Sequence, residues 1–212
     1  MPTAVAQVGR FITLEGGEGG GKTTQAECLC AALQARGVAA VVTREPGGSP
    51  GAEEIRALLV SGAPGRWEPA TEALLHFAAR RDHVARMIRP ALSAGTWVIC
   101  DRFTDSTMAY QGYAQGLGRD VVERIDQAAV GLRPDLTLVL DLPVEVGLER
   151  EKNAARYARF GADFHRKVRD AFLDIAQREP GRCVVIDATR SADLVAGDVL
   201  RVVEQRLLQP AR

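Results

Sequence analysis

Residues 15–24, EGGEGGGKTT, constrain the fold of this chain more than any other stretch, because five of the ten are glycine. Glycine loses more backbone freedom on folding than any other residue, so such a cluster costs stability unless the backbone has to curl tightly. Gly16, Gly21, Lys22 and Thr23 have the spacing of a loop whose N–H groups surround a phosphate chain. A predicted strand precedes the loop and a predicted helix follows it, as this motif requires. The stretch therefore predicts binding of nucleotide phosphates.

The motif also predicts what each part of the loop does. Its backbone N–H groups and the positive end of the following helix would bind phosphate oxygens. Lys22 would reach the β and γ phosphates, and Thr23 would offer its hydroxyl to Mg²⁺. The predicted residues that bind the ATP phosphates are Gly16, Gly17, Glu18, Gly19, Gly20, Gly21, Lys22, Thr23 and Thr24.

Short apolar runs alternate with longer segments of helical periodicity along the whole chain. Strands are predicted at 11–14, 38–43, 96–100, 136–140 and 183–186, and helices at 24–36, 52–60, 68–93, 162–177 and 192–208. Continuous apolar strands are typical of parallel sheets that are covered on both faces. We therefore predict a single α/β domain over residues 1–212, with three layers and a five-stranded parallel sheet. The polar segment 150–160 is predicted to be either a mobile lid or a solvated helix.

Composition limits the partners and the compartment. The 27 basic and 27 acidic residues balance, which argues against nucleic acid or an anionic membrane as the main partner. There is no secretory signal pattern at the start and no apolar run of about 18 residues, so we predict no membrane span. Cys28, Cys30, Cys100 and Cys183 lie in or beside apolar runs and are predicted to be buried free thiols. These features favour a cytoplasmic protein.

Charged residues follow two of the predicted strands. Arg44 follows the second strand, and Asp101 and Arg102 follow the third. Because the carboxyl ends of parallel strands share one edge of the sheet, these side chains should meet Lys22 there. Asp101 would join Thr23 in holding Mg²⁺, directly or through water. The two arginines exceed what one triphosphate needs, so they predict a second phosphate on an acceptor, and hence a phosphoryl transfer enzyme with two substrates.

Several longer segments together resemble one family. They are FITLEGGEGGGKTTQ, TREPGG, LLHFAARRDH, VICDRFTDSTMAYQG, LRPDLTLVLDLP and VVIDA, and they run from about residue 10 to 190. In order and spacing they are similar to thymidylate kinases of the bacterial type, within the phosphate-loop nucleoside monophosphate kinases. The resemblance implies that a homodimer transfers the γ-phosphoryl group of MgATP to dTMP. The products would be dTDP and ADP, on the way to dTTP and DNA replication.

The resemblance also implies residue roles. Phe77 would stack on thymine, Arg80 would donate to the thymine edge, and Glu18 would lie near the 3′-hydroxyl. The implied catalytic residues are Glu18, Lys22, Asp101, Arg102 and Arg156. The implied dTMP-binding residues are Glu18, Arg44, Phe77, Arg80, Arg102, Ser106, Tyr110 and Gln111. Tyr110, placed under the sugar, would disfavour a 2′-hydroxyl.

The lid departs from the family pattern. The glycine loop contains no arginine, so the resemblance implies a catalytic arginine in the lid, with Arg150, Arg156 and Arg159 as candidates. The family commonly has Asp-Arg-x-Glu there. An ungapped alignment puts ARYA at 155–158, which favours Arg156, and a frame with a short deletion favours Arg159. Both acids are absent in either frame, so the hydrogen bonds of a closed lid are in question.

Two other functions remain open from sequence. One is a kinase for another nucleotide or for a deoxynucleoside, where Glu18 would be the available base. The other is a regulatory protein that binds ATP without turnover. No chemical role is predicted for the remaining rings and imidazoles, which are Trp67, Trp97, His76, His83 and His165.

Overall fold

Five parallel strands form the centre of the molecule in the computed structural model, which describes residues 9–151 and 156–208. They are β1 (Phe11–Glu15), β2 (Ala40–Arg44), β3 (Trp97–Asp101), β4 (Leu136–Asp141) and β5 (Cys183–Asp187), in the order β2-β3-β1-β4-β5. The register pairs Leu14 of β1 with Asp101 of β3, and Asp101 with Arg44 of β2. The charged strand ends therefore lie side by side at one edge, as predicted.

Helices connect the strands. The α-helices are α1 (Lys22–Gln34), α2 (Pro50–Val60), α3 (Pro69–His83), α4 (Arg89–Ser93), α5 (Thr104–Thr107), α6 (Arg119–Ala129), α7 (Val144–Arg150), α8 (Ala162–Arg178) and α9 (Ala192–Val203). Wider π-helical turns continue three of them, at Val84–Ile88, Met108–Ala114 and Glu204–Leu208, and a 3₁₀ turn occupies Tyr157–Arg159.

Successive strand residues bury their side chains on opposite faces of the sheet. Phe11 and Val98 belong to a core with residues of α3 and α8, whereas Ile12 and Ile99 belong to a second core with residues of α1 and α9. This alternation follows from the two-residue period of a strand. Because both faces are covered, the strands read as continuous apolar runs, and the predicted three-layer fold is confirmed.

The main differences from the predicted elements are omissions. The helices α5, α6 and α7 were not predicted, although two of them bear on the site described below. Cys30, Cys100 and Cys183 are buried free thiols, but Cys28 is exposed, so the prediction for that residue is wrong. Of the predicted lid at 150–160, residues 152–155 lie outside the described residues. Within the described ranges, no helix has both the length and the apolar character needed to cross a bilayer.

Candidate active site

The glycine loop between β1 and α1 adopts backbone angles that explain its composition. Gly16, Gly19 and Gly21 have φ values of 131°, 67° and 78°, where a side chain is strained. A Cβ on Gly16 would also lie 2.4 Å from the carbonyl oxygen of Leu140. The Lys22 ammonium group is buried inside the loop and donates to the carbonyl oxygen of Gly17 at 2.6 Å. The loop is thus a tight, cationic concavity at the start of α1.

A helix that sequence reasoning missed supports this loop from outside. A Cβ on Gly147 of α7 would lie 2.4 Å from the carbonyl oxygen of Glu18, and one on Gly19 would lie 2.0 Å from that of Gly147. The two backbones therefore pack directly on each other. In the sequence, the available signal for this contact was the glycine within the helix. That signal is weak until the fold shows that the helix packs on the glycine loop.

Thr23 and Asp101 meet at the mouth of the loop. The Thr23 hydroxyl donates to Oδ2 of Asp101 at 2.5 Å, joining the first turn of α1 to the end of β3. Hydroxyl and carboxylate oxygens are the ligands that Mg²⁺ accepts, with phosphates and waters completing its shell. Among the described residues there is no cluster of three or more His, Cys, Asp or Glu side chains that could hold a metal alone. The pair therefore fits a metal that arrives with a nucleotide.

Arg102 joins the glycine loop to the neighbouring side chains. Among the described residues it is the only non-glycine with a left-handed backbone, at φ 70°. Its guanidinium donates to the carbonyl oxygen of Gly16 at 3.1 Å, to Oγ of Ser106 at 3.2 Å and to Oε1 of Glu18 at 3.1 Å. The Tyr110 hydroxyl donates to the same Glu18 oxygen at 2.8 Å. A backbone held in this region is often part of a functional constraint.

Two carboxylates beside Arg102 have opposite pKa shifts. Burial alone would raise the pKa of Glu18, but Arg102 and Lys22 outweigh it and lower that pKa to about 2. Burial raises the pKa of Glu15 to about 8, and Asp105 adds to the effect. Glu15 accepts from the N–H groups of Phe103 and Ser106 at 2.8 and 3.2 Å, so it fixes the start of α5 next to Arg102.

A cavity of about 210 Å³ opens beside the loop and the Thr23–Asp101 pair. Six of the predicted dTMP-binding residues line it, namely Glu18, Arg44, Arg102, Ser106, Tyr110 and Gln111. Side chains that sequence reasoning did not select also line it, among them Arg56, His76 and Tyr157. Arg44 extends from the end of β2 and pairs with Glu53 at 3.0 Å. Three arginines, two of them predicted, thus face one cavity.

Phe77 and Arg80 are not among the residues that line this cavity, so the roles that the resemblance implies for them stay predictions. Phe77 is 2% exposed and packs in the core. Its neighbour His76 lines the cavity, and successive residues of a helix are rotated by about 100° from each other, so Phe77 points elsewhere. Arg80 is equally buried and donates to Oε2 of Glu45 at 2.6 Å and to the carbonyl oxygen of Phe103 at 3.0 Å. It anchors the segment after β2 to α3. The ring that faces the cavity from this turn is His76.

The candidate lid arginines donate hydrogen bonds to other parts of the chain. Arg150 donates to the carbonyl oxygens of Ala188 and Thr189 at 2.8 and 2.9 Å, after β5. Arg159 donates to the carbonyl oxygen of Gly62. Arg156 is fully buried, where it pairs with Glu72 of α3 and donates to backbone carbonyls of residues 59 and 63. A buried guanidinium held by three protein atoms fits a structural group, and the catalytic role of Arg156 stays a prediction.

This placement gives a testable consequence for Arg156. Replacing it by alanine leaves the buried Glu72 carboxylate without its cation, which should cost about 3–5 kcal/mol of unfolding free energy. For a chain of this size that lowers Tm by about 10 °C in calorimetry. Arg159→Ala, at an exposed position of the same segment, is the control and should change Tm little. An unchanged Tm with a large fall in kcat for Arg156→Ala would instead support the catalytic role.

Comparisons with known proteins identify one family throughout. The family profile described as thymidylate kinase matches residues 14–199. A thymidylate kinase from Caulobacter vibrioides is 53% identical, covering 94% of this chain and 98% of that protein. One from Nitrobacter winogradskyi is 50% identical, covering 98% and 93%. A crystal structure of thymidylate kinase from Ehrlichia chaffeensis superposes with a TM-score of 0.77 at 34% identity, covering 92% of this chain and 98% of that one.

Proposed function

The chain belongs to the thymidylate kinase family, and we propose that its glycine loop binds the phosphates of ATP while the 210 Å³ cavity binds dTMP. The protein is a dTMP kinase: it transfers the γ-phosphoryl group of ATP to dTMP and releases dTDP and ADP. This reaction belongs to the synthesis of dTTP for DNA replication.

The position of Arg102 is the observation that carries the assignment of the two sites. Its guanidinium contacts the glycine loop through Gly16 and Glu18, and it also lines the cavity. A cation in this position would neutralise charge on both the donor phosphate and the acceptor phosphate as they approach. Phosphoryl transfer depends mainly on such alignment and charge neutralisation. The acceptor oxygen is already anionic, so no general base is needed.

The remaining polar groups fit the parts of a nucleoside monophosphate. Arg44 and Arg56 add positive charge at the end of the cavity next to Asp101, where the acceptor phosphate would bind. Glu18, whose pKa is lowered to about 2, is an ionised acceptor for the 3′-hydroxyl. Tyr110 donates to Glu18 and would pack beneath the sugar, where it leaves little space for a 2′-hydroxyl. Ser106 and Gln111 complete the nucleoside contacts.

Magnesium would be held by Thr23 and Asp101, directly or through water. When bound with ATP, the ion neutralises phosphate charge. Lys22 is placed to take the β and γ phosphates, because its ammonium group already lies within the loop.

We also propose a single domain, a homodimer and a cytoplasmic location. Exposed apolar side chains on neighbouring helices, Leu58 of α2 and Leu74 of α3, support the dimer.

The test is steady-state ADP release with a panel of acceptors. We expect release that depends on dTMP and exceeds that with thymidine, dUMP, dCMP, dGMP or UMP. A preference for thymidine over dTMP would contradict a monophosphate site, and ADP release that is independent of any acceptor would contradict transfer. A crystal structure with dTMP and a non-hydrolysable ATP analogue should place the acceptor phosphate at Arg102.

A further inference from the structure

Glu15 is the last residue of β1, and its fully buried side chain reaches the stretch of chain that follows Arg102. Its Oε1 accepts from the backbone N–H of Phe103 at 2.8 Å and from that of Ser106 at 3.2 Å. Its Oε2 lies 2.6 Å from Oγ of Ser106. One side chain of the central strand therefore binds three polar groups between residues 103 and 106.

The backbone of Arg102 is held from both sides. The φ and ψ angles of a residue describe how the peptide groups before and after it are turned about its Cα. The N–H of Arg102 belongs to the first of these groups and donates to the carbonyl oxygen of Leu14 at 2.9 Å. The N–H of Phe103 belongs to the second and donates to Glu15. Glu15 thus supplies one of the two bonds that keep Arg102 at a φ of 70°, a conformation that persists only where the surroundings impose it.

The guanidinium group of Arg102 is linked to the same carboxyl group through Ser106. Arg102 donates to Oγ of Ser106 at 3.2 Å, and that hydroxyl also binds Oε2 of Glu15. The backbone N–H of Ser106 is bound to the other oxygen of Glu15, so both the position and the rotamer of Ser106 are fixed. The backbone and the head group of Arg102 therefore both depend on Glu15, although Glu15 is not among the residues that line the cavity.

We propose that Glu15 is a positioning residue for phosphoryl transfer, whose side chain holds Arg102 where it contacts the glycine loop and the cavity at once. The inference rests on the proposed role of Arg102 between the donor and acceptor phosphates. Burial raises the pKa of Glu15 to about 8, with Asp105 adding to the effect, so the carboxyl group is largely neutral at pH 7. Hydrogen-bond geometry, rather than charge, is therefore what Glu15 contributes.

The first test compares two substitutions of Glu15 in the whole enzyme. Glu15→Met has a similar volume but no acceptor, so the turn after β3 is released. We expect kcat/KM for dTMP to fall about 10- to 100-fold, because a displacement of about 1 Å near the reacting groups can cost 100-fold in rate. KM for ATP should change little, since the loop N–H groups and Lys22 remain.

Glu15→Gln is the conservative variant that should restore activity. It keeps an acceptor oxygen for the two backbone N–H groups, and its amide nitrogen can donate to Oγ of Ser106. We expect its kcat/KM for dTMP to stay within about threefold of the native value at pH 7. If Glu15→Gln loses as much activity as Glu15→Met, charge matters rather than geometry and the proposal is overturned.

Asp135→Ala is the matched structural control. The carboxyl group of Asp135 lies at the opposite end of β1, where it accepts from the N–H of Phe11 at 2.7 Å and from the guanidinium of Arg10 at 3.0 Å. Calorimetry should show a lower Tm for both Asp135→Ala and Glu15→Met. ADP release measured well below Tm should fall only in Glu15→Met, and a native kcat/KM in that variant overturns the proposal.

The second test determines whether Glu15 acts through Arg102. The Arg102→Lys enzyme lacks the guanidinium that Glu15 positions, so adding Glu15→Met should lower kcat/KM little further. Independent losses would instead multiply, and that result contradicts the proposal. If Glu15→Met does not fold, Glu15→Asp replaces it in both tests, because a side chain shorter by one methylene cannot reach both backbone N–H groups.

The outcomes separate this inference from the assigned function. If the native enzyme uses dTMP and Arg102→Lys loses activity, while the Glu15 variants keep it, only this inference fails. If the native enzyme does not use dTMP, the assigned function fails as well.

Discussion

Replacing Arg102 by lysine should lower kcat/KM for dTMP by about 10²- to 10³-fold, the range seen when one preorganised donor to a developing charge is removed. Lysine keeps the positive charge but not the planar fork. In the native chain that fork contacts Gly16, Glu18 and Ser106 at the same time. A single ammonium group cannot hold these three positions, so the loop and the acceptor site would lose their common cation.

The lysine variant also separates the side chain from the backbone. Residue 102 has a φ of 70°, where glycine is favoured and every other L-residue is strained. Arginine and lysine both carry this cost, so Tm should change little while turnover falls. The measurement is steady-state ADP release with dTMP varied, together with calorimetry. Arg124→Lys is the control, since Arg124 lies in an exposed pair with Asp120. Wild-type kcat/KM in Arg102→Lys would contradict the bridging role.

The parts of the fold that could be predicted are those that depend on local sequence patterns. Continuous apolar strands such as 11–14 and 96–100 require cover on both faces, so the parallel three-layer sheet follows from them. Once the sheet is parallel, residues after each strand share an edge. Arg44 and Asp101 are indeed paired neighbours in the register. The gathering of the loop, Asp101 and Arg102 was therefore accessible from sequence.

The parts that could not be predicted depend on helix phase and on contacts between distant residues. Phe77 and His76 are adjacent, and a rotation of about 100° per residue decides which of them faces the cavity. Chemical type favoured phenylalanine, but the phase of α3 places His76 there. Arg156 and Glu72 are 84 residues apart, so no local sequence pattern predicts that the lid arginine is buried in a pair with Glu72. Helix phase decided the first outcome and tertiary pairing decided the second.

Gly147→Ala should lower kcat/KM for ATP about 100-fold, although Gly147 lies in α7 and carries none of the predicted chemistry. A Cβ there would lie 2.4 Å from the carbonyl oxygen of Glu18, a distance that real Cβ atoms do not show. Backbone cannot move aside as a flexible side chain can, so the glycine loop must shift. A displacement of about 1 Å near reacting groups can cost 100-fold in rate.

Helix propensity alone predicts that Gly147→Ala raises stability, whereas the close contact with the loop predicts a loss. The substitution therefore distinguishes the two effects. Alanine is favoured over glycine inside a helix by about 1 kcal/mol. Gly197→Ala in α9 is the matched control, because a Cβ at that position has no atom within 4 Å. It should keep full activity and gain stability. If Gly147→Ala behaves like Gly197→Ala in ADP release and calorimetry, α7 does not set the position of the loop. If only Gly147→Ala loses activity, the contact between the two backbones is what holds the phosphate site in its shape.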